Sequence, residues 1–118
     1  MVTLAQVLTL LLGLLHVWIM ILEMFLWTSS YGRKAFAMSL ERAIATKVLA
    51  ANQGLYNGFL AAGIFWGLSR GDVAVQAFFL VCILVAGIFG ALTASKKIIF
   101  VQAIPALVTL VISFLAYH

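Results

Sequence analysis

Residues 73–93 read VAVQAFFLVCILVAGIFGALT, a run with no charged residue and a single amide, Gln76. From Phe78 to Val85 only Cys82 interrupts the large aliphatic and aromatic side chains. Such a run has no polar alternate face, so it does not suit a half-buried strand or a barrel strand, both of which need a period of two. About 20 residues at helical rise span about 30 Å, the thickness of a hydrocarbon core. The stretch therefore predicts a membrane-spanning helix.

Three further runs have the same character, at about residues 4–27, 48–69 and 98–117. Across its 118 residues the chain is 66% hydrophobic and 8% charged, with a mean hydropathy of +1.23. A soluble domain of this size leaves too much surface at the water boundary to be so apolar. The expected fold is all-α: an integral membrane bundle of four transmembrane helices forming one domain over residues 1–118. The opening MVTLAQVLTL lacks a basic n-region and its apolar run outlasts an h-region, so helix one is read as a retained span rather than a signal peptide.

Charge placement gives an orientation. Arg33, Lys34, Arg42 and Lys47 fall in the first loop, Lys96 and Lys97 in the third, and only Arg70 in the second. The positive-inside rule then puts loops 28–47 and 94–97 in the cytoplasm and both termini outside, in a bacterial cytoplasmic membrane. With the basic residues so explained, nucleic acid is not an expected partner, whereas membrane lipid is. Cys82 stands alone, which rules out an intrachain disulfide and a thiolate metal cluster. No phosphate loop, paired metal-binding histidines or Ser-His-Asp set is visible, so neither a cofactor nor a metal is expected.

The connections carry their own signals. In SRGDVAV, Gly71 suits a left-handed helix end, and Asp72 can accept from the free N–H groups that open the next helix. Ser95 can do the same before the last span. In the long first loop, Phe36, Leu40, Ile44 and Val48 recur every four residues with charges between them. That spacing fits either a short amphipathic helix at the cytoplasmic interface or an early start to the second span. Small pairs, Gly87 with Ala91 and Gly90 with Ala94, would let the third span approach a neighbour closely. Pro105 removes one backbone hydrogen bond and predicts a kink in the fourth.

The polar residues of the spans are the functional candidates. Gln6, Thr9, Gly13, His16, Met20, Glu23 and Trp27 follow one another at spacings of three and four, a single seam of the first helix. On the second, Asn52, Tyr56, Phe59, Gly63 and Gly67 share a face, with Gln53 and Asn57 on its shoulder. A carboxylate inside a membrane must pair, meet water or hold its proton, which makes Glu23 a functional candidate by default. Hence the expected ligand-binding set is Glu23, His16, Asn52, Gln53, Tyr56, Asn57 and Trp27, lining one polar pocket, with Gln102, Thr109 and Ser113 roughly in line on the fourth span. The alternative is interhelical hydrogen bonding without a ligand.

HVWIMILEMFLW, the turn GRKAF and ANQGLYNGFLAAG together resemble a family of small bacterial four-helix membrane proteins catalogued only as a domain of unknown function. The resemblance covers nearly the whole chain and implies the fold, but no activity. In size and in carrying a carboxylate on the first helix the chain is also similar to small multidrug resistance transporters. It departs from them around Glu23, where no matching motif stands, and in its strong charge bias. In its intramembrane His, Glu, Asn and Trp it is similar, at the level of fold alone, to sterol isomerase and sigma-receptor-like membrane proteins.

Three functions follow as expectations. One is a binding or transport protein for a small amphipathic or cationic solute, proton-coupled through Glu23. Another is an intramembrane enzyme acting on a lipid or isoprenoid, with His16 and Glu23 as acid and base and Asn52 or Asn57 polarising the substrate. Against it, the two ionisable groups are separated by about 10 Å along the helix. The third is a structural or assembly partner, including assembly into a homo-oligomer. Whether the chain is an enzyme is open at this level.

Overall fold

The computed structural model describes residues 1–118, all of them in helices or their connections. In chain order the elements are α1 (Val2–Phe25), α2 (Ser30–Ala35), α3 (Leu40–Ala45), α4 (Lys47–Ser69), α5 (Val73–Thr93), a π-helical segment (Ile99–Ala103) and α6 (Ile104–Tyr117). Three stretches, Val2–Phe25, Val73–Thr93 and Ile99–Tyr117, are long and apolar enough to cross a membrane. With 23 residues α4 has the length, but Asn52, Gln53 and Asn57 dilute its hydropathy, and it is not among the three.

The chain packs as two compact units, one of Met1–Gly13 with Ala62–His118 and the other of Leu14–Ala61. In the first unit the helices meet where side chains are small. A Cβ on Gly87 would lie 3.0 Å from the Ala103 backbone nitrogen, so α5 touches the π-helical segment backbone to backbone. A Cβ on Gly63 would overlap the Phe79 ring, and one on Gly67 would lie 2.9 Å from Gln76 Cγ. The polar side chains here turn to main-chain carbonyls. Gln76 Nε2 donates to Gly67 O at 3.2 Å and Gln102 Nε2 to Ile83 O at 3.0 Å. Thr109 Oγ1 donates back to Pro105 O at 2.8 Å.

Gly71 ends α4 with φ +61, its successor Asp72 donating to Gly67 O while Gly71 itself donates to Leu68 O. Asp72 then opens α5 by accepting from Val75 N at 3.1 Å, as the SRGDVAV reading anticipates. Lys97 N donates to Ser95 Oγ at 3.3 Å in the next connection. Beyond it, where a kink is expected, the backbone widens into the π-helix just ahead of Pro105. Proline lacks an N–H to continue the α-helical ladder, and a wider turn redistributes the remaining bonds.

In the second unit the stripe Phe36, Leu40, Ile44, Val48 does not form one helix. Ala37 adopts φ +51 and closes α2, with Met38 N donating to Arg33 O at 3.0 Å and Ala37 N to Lys34 O at 3.3 Å. Ser39 then caps α3 by accepting from Arg42 N. Two short helices replace one because Ser39 supplies a fresh start immediately after the left-handed turn. All four stripe residues are exposed.

Candidate functional site

Everything at the site belongs to the second unit. Its centre is Glu23, in the last turn of α1 and only 5% exposed. From α4, Asn57 Nδ2 donates to Glu23 Oε1 at 2.5 Å. A carboxylate–amide bond this short needs the two backbones close together, and α4 provides that with glycine. A Cβ on Gly54 would lie 2.7 Å from Met24 Cγ, 3.0 Å from Glu23 Cβ and 3.1 Å from Met20 O. One turn further along, a Cβ on Gly58 would lie 2.7 Å from Met20 Sδ.

The inward seam of α4 in this unit is therefore Ala50, Gly54, Asn57 and Ala61, spaced by four, three and four. Ala50, Gly54 and Ala61 are buried and Asn57 is half-buried. Asn52, Gln53 and Tyr56, expected to face the same pocket, are exposed instead, Tyr56 by 62%. Their exposure has a physical cause: contact between helices in lipid is set by small residues that let backbones approach. The glycine and alanine positions fix the rotation, and the bulkier amides and Tyr56 turn outward. Tyr56 packs its ring at 6.2 Å from Phe59 on that outer surface.

His16 is fully buried, two turns from Glu23 on α1. Trp27 belongs to the loop rather than to the Glu23–Asn57 contact. Its Nε1 donates to Thr46 Oγ1 at 3.0 Å, Thr46 donates on to Arg42 O at 2.7 Å, and the indole lies 4.7 Å from the Phe36 ring. Of the seven residues expected to bind a ligand together, the structure hydrogen-bonds two to each other, Glu23 and Asn57. Met24 and Thr46 are neighbours that the polar seams did not name. Gly54 and Gly58 in ANQGLYNGFLAAG were the signal for a close approach of α1 at Met20 and Met24, whereas nothing local pointed to Thr46.

Chemically the pair is asymmetric. Asn57 is a neutral donor that orients one oxygen of the carboxyl but supplies no countercharge, so a cation or a proton must balance Glu23 whenever the site is dry. His16, Cys82, Glu23 and the other potential ligands form no group able to hold a metal ion.

A family model described as "Protein of unknown function (DUF1304)" matches residues 10–114. The chain is 34% identical over 119 residues to a Lactococcus lactis protein described as "Uncharacterized protein YpaA", an alignment covering 97% of this chain and 99% of that one. No solved structure matches. The resemblance carried by HVWIMILEMFLW and ANQGLYNGFLAAG, to a bacterial family catalogued only as a domain of unknown function, is thereby borne out.

Proposed function

This chain belongs to the DUF1304 family, and from that premise we propose that it binds or carries a small amphipathic or cationic solute within the membrane. In this reading all four long helices span the bacterial cytoplasmic membrane, α4 included. Loops 28–47 and 94–97 face the cytoplasm and both termini face outward, following the distribution of Arg and Lys.

The observation that supports it is the buried Glu23 carboxyl held by the neutral Asn57 amide. A carboxyl so enclosed by protein and balanced by no fixed charge from its partner can exchange a proton for a cation, which is the minimum a coupled carrier needs. Met20 and Met24, packed beside it at Gly54 and Gly58, give the apolar part of such a solute a polarizable surface that repacks readily. The lipid-enzyme reading is less well supported, because His16 and Glu23 stand two turns apart on one helix.

The test is flux in proteoliposomes under an imposed pH gradient, with tetraphenylphosphonium as the lipophilic cation. The native chain should accumulate it in proportion to the gradient, and Glu23→Gln should abolish that dependence while preserving helical content. Equal, gradient-independent flux in both proteins would remove Glu23 from any coupling role.

A further inference from the structure

We propose that α2 and the turn after it hold the phosphate headgroup of an anionic membrane lipid. A shallow, open depression of about 480 Å³ lies here, lined by Ser30, Arg33, Lys34, Ala37 and Met38. It lies outside the Glu23 site and shares no residue with it. The inference rests on the membrane-spanning part of the proposed function but not on the identity of any solute.

The depression's level relative to a bilayer follows from how α2 is fixed. A Cβ on Gly32 would overlap Leu26 O, so α2 lies with its backbone directly on the end of α1. Tyr31 reaches back along α1, its ring 5.9 Å from that of Trp18 in an edge-on contact. Both rings are on exposed surface. A Trp–Tyr pair on the outer surface near the end of an apolar helix suits the interfacial belt below the headgroups, and the last turn of α1, with Glu23, shares that belt with α2. Just beyond that belt α2 carries Arg33 and Lys34, which line the depression at the level of the lipid phosphates.

The charges are also built for an anion. Arg33 Nε donates to Thr28 O at 3.3 Å, which anchors the guanidinium by its base and leaves the two Nη groups to form a bidentate contact with phosphate. Lys34, its neighbour in the chain, adds a mobile ammonium, and Ser30 a hydroxyl donor. The left-handed turn at Ala37 folds Met38 back against the same depression, giving the first acyl carbons an apolar surface. Two cations, a hydroxyl and an apolar flank suit the net-negative headgroup of an acidic glycerophospholipid rather than a zwitterionic one.

The measurement is native mass spectrometry of the full chain released from detergent. It is titrated with phosphatidylglycerol, with phosphatidylcholine of the same acyl chains, and with inorganic phosphate. Phosphatidylglycerol should bind more tightly than phosphatidylcholine, and Arg33→Gln with Lys34→Gln together should weaken phosphatidylglycerol binding about 30-fold, since each basic group contributes about fivefold. Arg70→Gln, in another loop, should leave the preference intact. Equal affinities for the two lipids, or a preference that survives the double substitution, would overturn the proposal. Displacement of the lipid by millimolar inorganic phosphate would overturn the lipid as the source of the phosphate. Extraction of cell membranes with alkaline carbonate separates the premise: release of the chain would refute spanning itself, whatever the lipid preference.

Discussion

The two compact units bury their polar side chains in different ways. In the unit of Met1–Gly13 and Ala62–His118, Gln76 and Gln102 donate to main-chain carbonyls and Thr109 to a carbonyl of its own helix. Each is a neutral group satisfied by a neutral acceptor, which is how polar side chains join helices in an apolar solvent. In the unit of Leu14–Ala61 a carboxyl is buried, along with the His16 imidazole, and the carboxyl's partner is a side chain. Main-chain carbonyls cannot serve a carboxylate, because they accept and do not donate. The difference separates residues that fasten helices from one that keeps an unspent charge, and it is chemical rather than a matter of depth.

Removing the amide from each unit should break the comparison most visibly. Asn57→Leu leaves the Glu23 carboxyl buried without its donor, at an expected cost of about 3 kcal/mol, since bonds to charged groups are the stronger kind. Gln102→Leu leaves only Ile83 O without its extra donor and should cost about 1 kcal/mol. Unfolding in detergent measures both. A double-mutant cycle sharpens the result: in a Glu23→Leu background, Asn57→Leu should be close to neutral. Equal costs for the two single substitutions would mean that Glu23 is held no differently from the fastening residues.

A smaller effect should follow from the glycines that set the contacts. Gly54→Ala forces a methyl group against Met20 O at 3.1 Å as well as against Met24 and Glu23. A backbone oxygen cannot step aside, so α4 must move, at about 2 kcal/mol. Gly63→Ala meets only the Phe79 ring, a side chain able to rotate, and should cost about 1 kcal/mol despite the deeper overlap. Gly54→Ala should also alter proton-dependent flux by lengthening the Glu23–Asn57 contact. Gly63→Ala should not.

Much of this architecture is legible in the sequence where a local property decides it. High hydropathy over about 20 residues marks the stretches of α1, α5 and α6, and Gly71 followed by Asp72 marks one helix end and the next beginning. Rotation about a helix axis is a different kind of quantity. In ANQGLYNGFLAAG the amides draw attention to Asn52 and Tyr56, yet contact is decided by Gly54 and Gly58, whose lack of a side chain permits the approach that brings Asn57 to Glu23. Pro105 announces an irregularity without saying that the helix would widen upstream of it. Trp27 reads as part of a polar seam until the loop folds Thr46 against it, a pairing nineteen residues apart that no local pattern encodes.

The smallest effect concerns two helix ends of the same design, one in each unit. Both α2 and α4 finish with a residue in the left-handed region whose follower donates to a carbonyl five residues back. At the end of α4 that residue is Gly71, at φ +61, and at the end of α2 it is Ala37, at φ +51. An L-residue there brings its Cβ close to the following carbonyl, at a cost of about 1 kcal/mol relative to glycine. Gly71→Ala should therefore destabilise by about 1 kcal/mol, because the surrounding space is open and only the backbone conformation objects. Ala37→Gly should stabilise by slightly less, since glycine also gains freedom in the unfolded chain. The second change reports on the lipid site as well. If the Ala37 turn is kept despite its strain because it shapes the depression around Arg33 and Lys34, Ala37→Gly should raise thermal stability and leave phosphatidylglycerol binding unchanged. Ala37→Pro, which forbids a positive φ, should lose both.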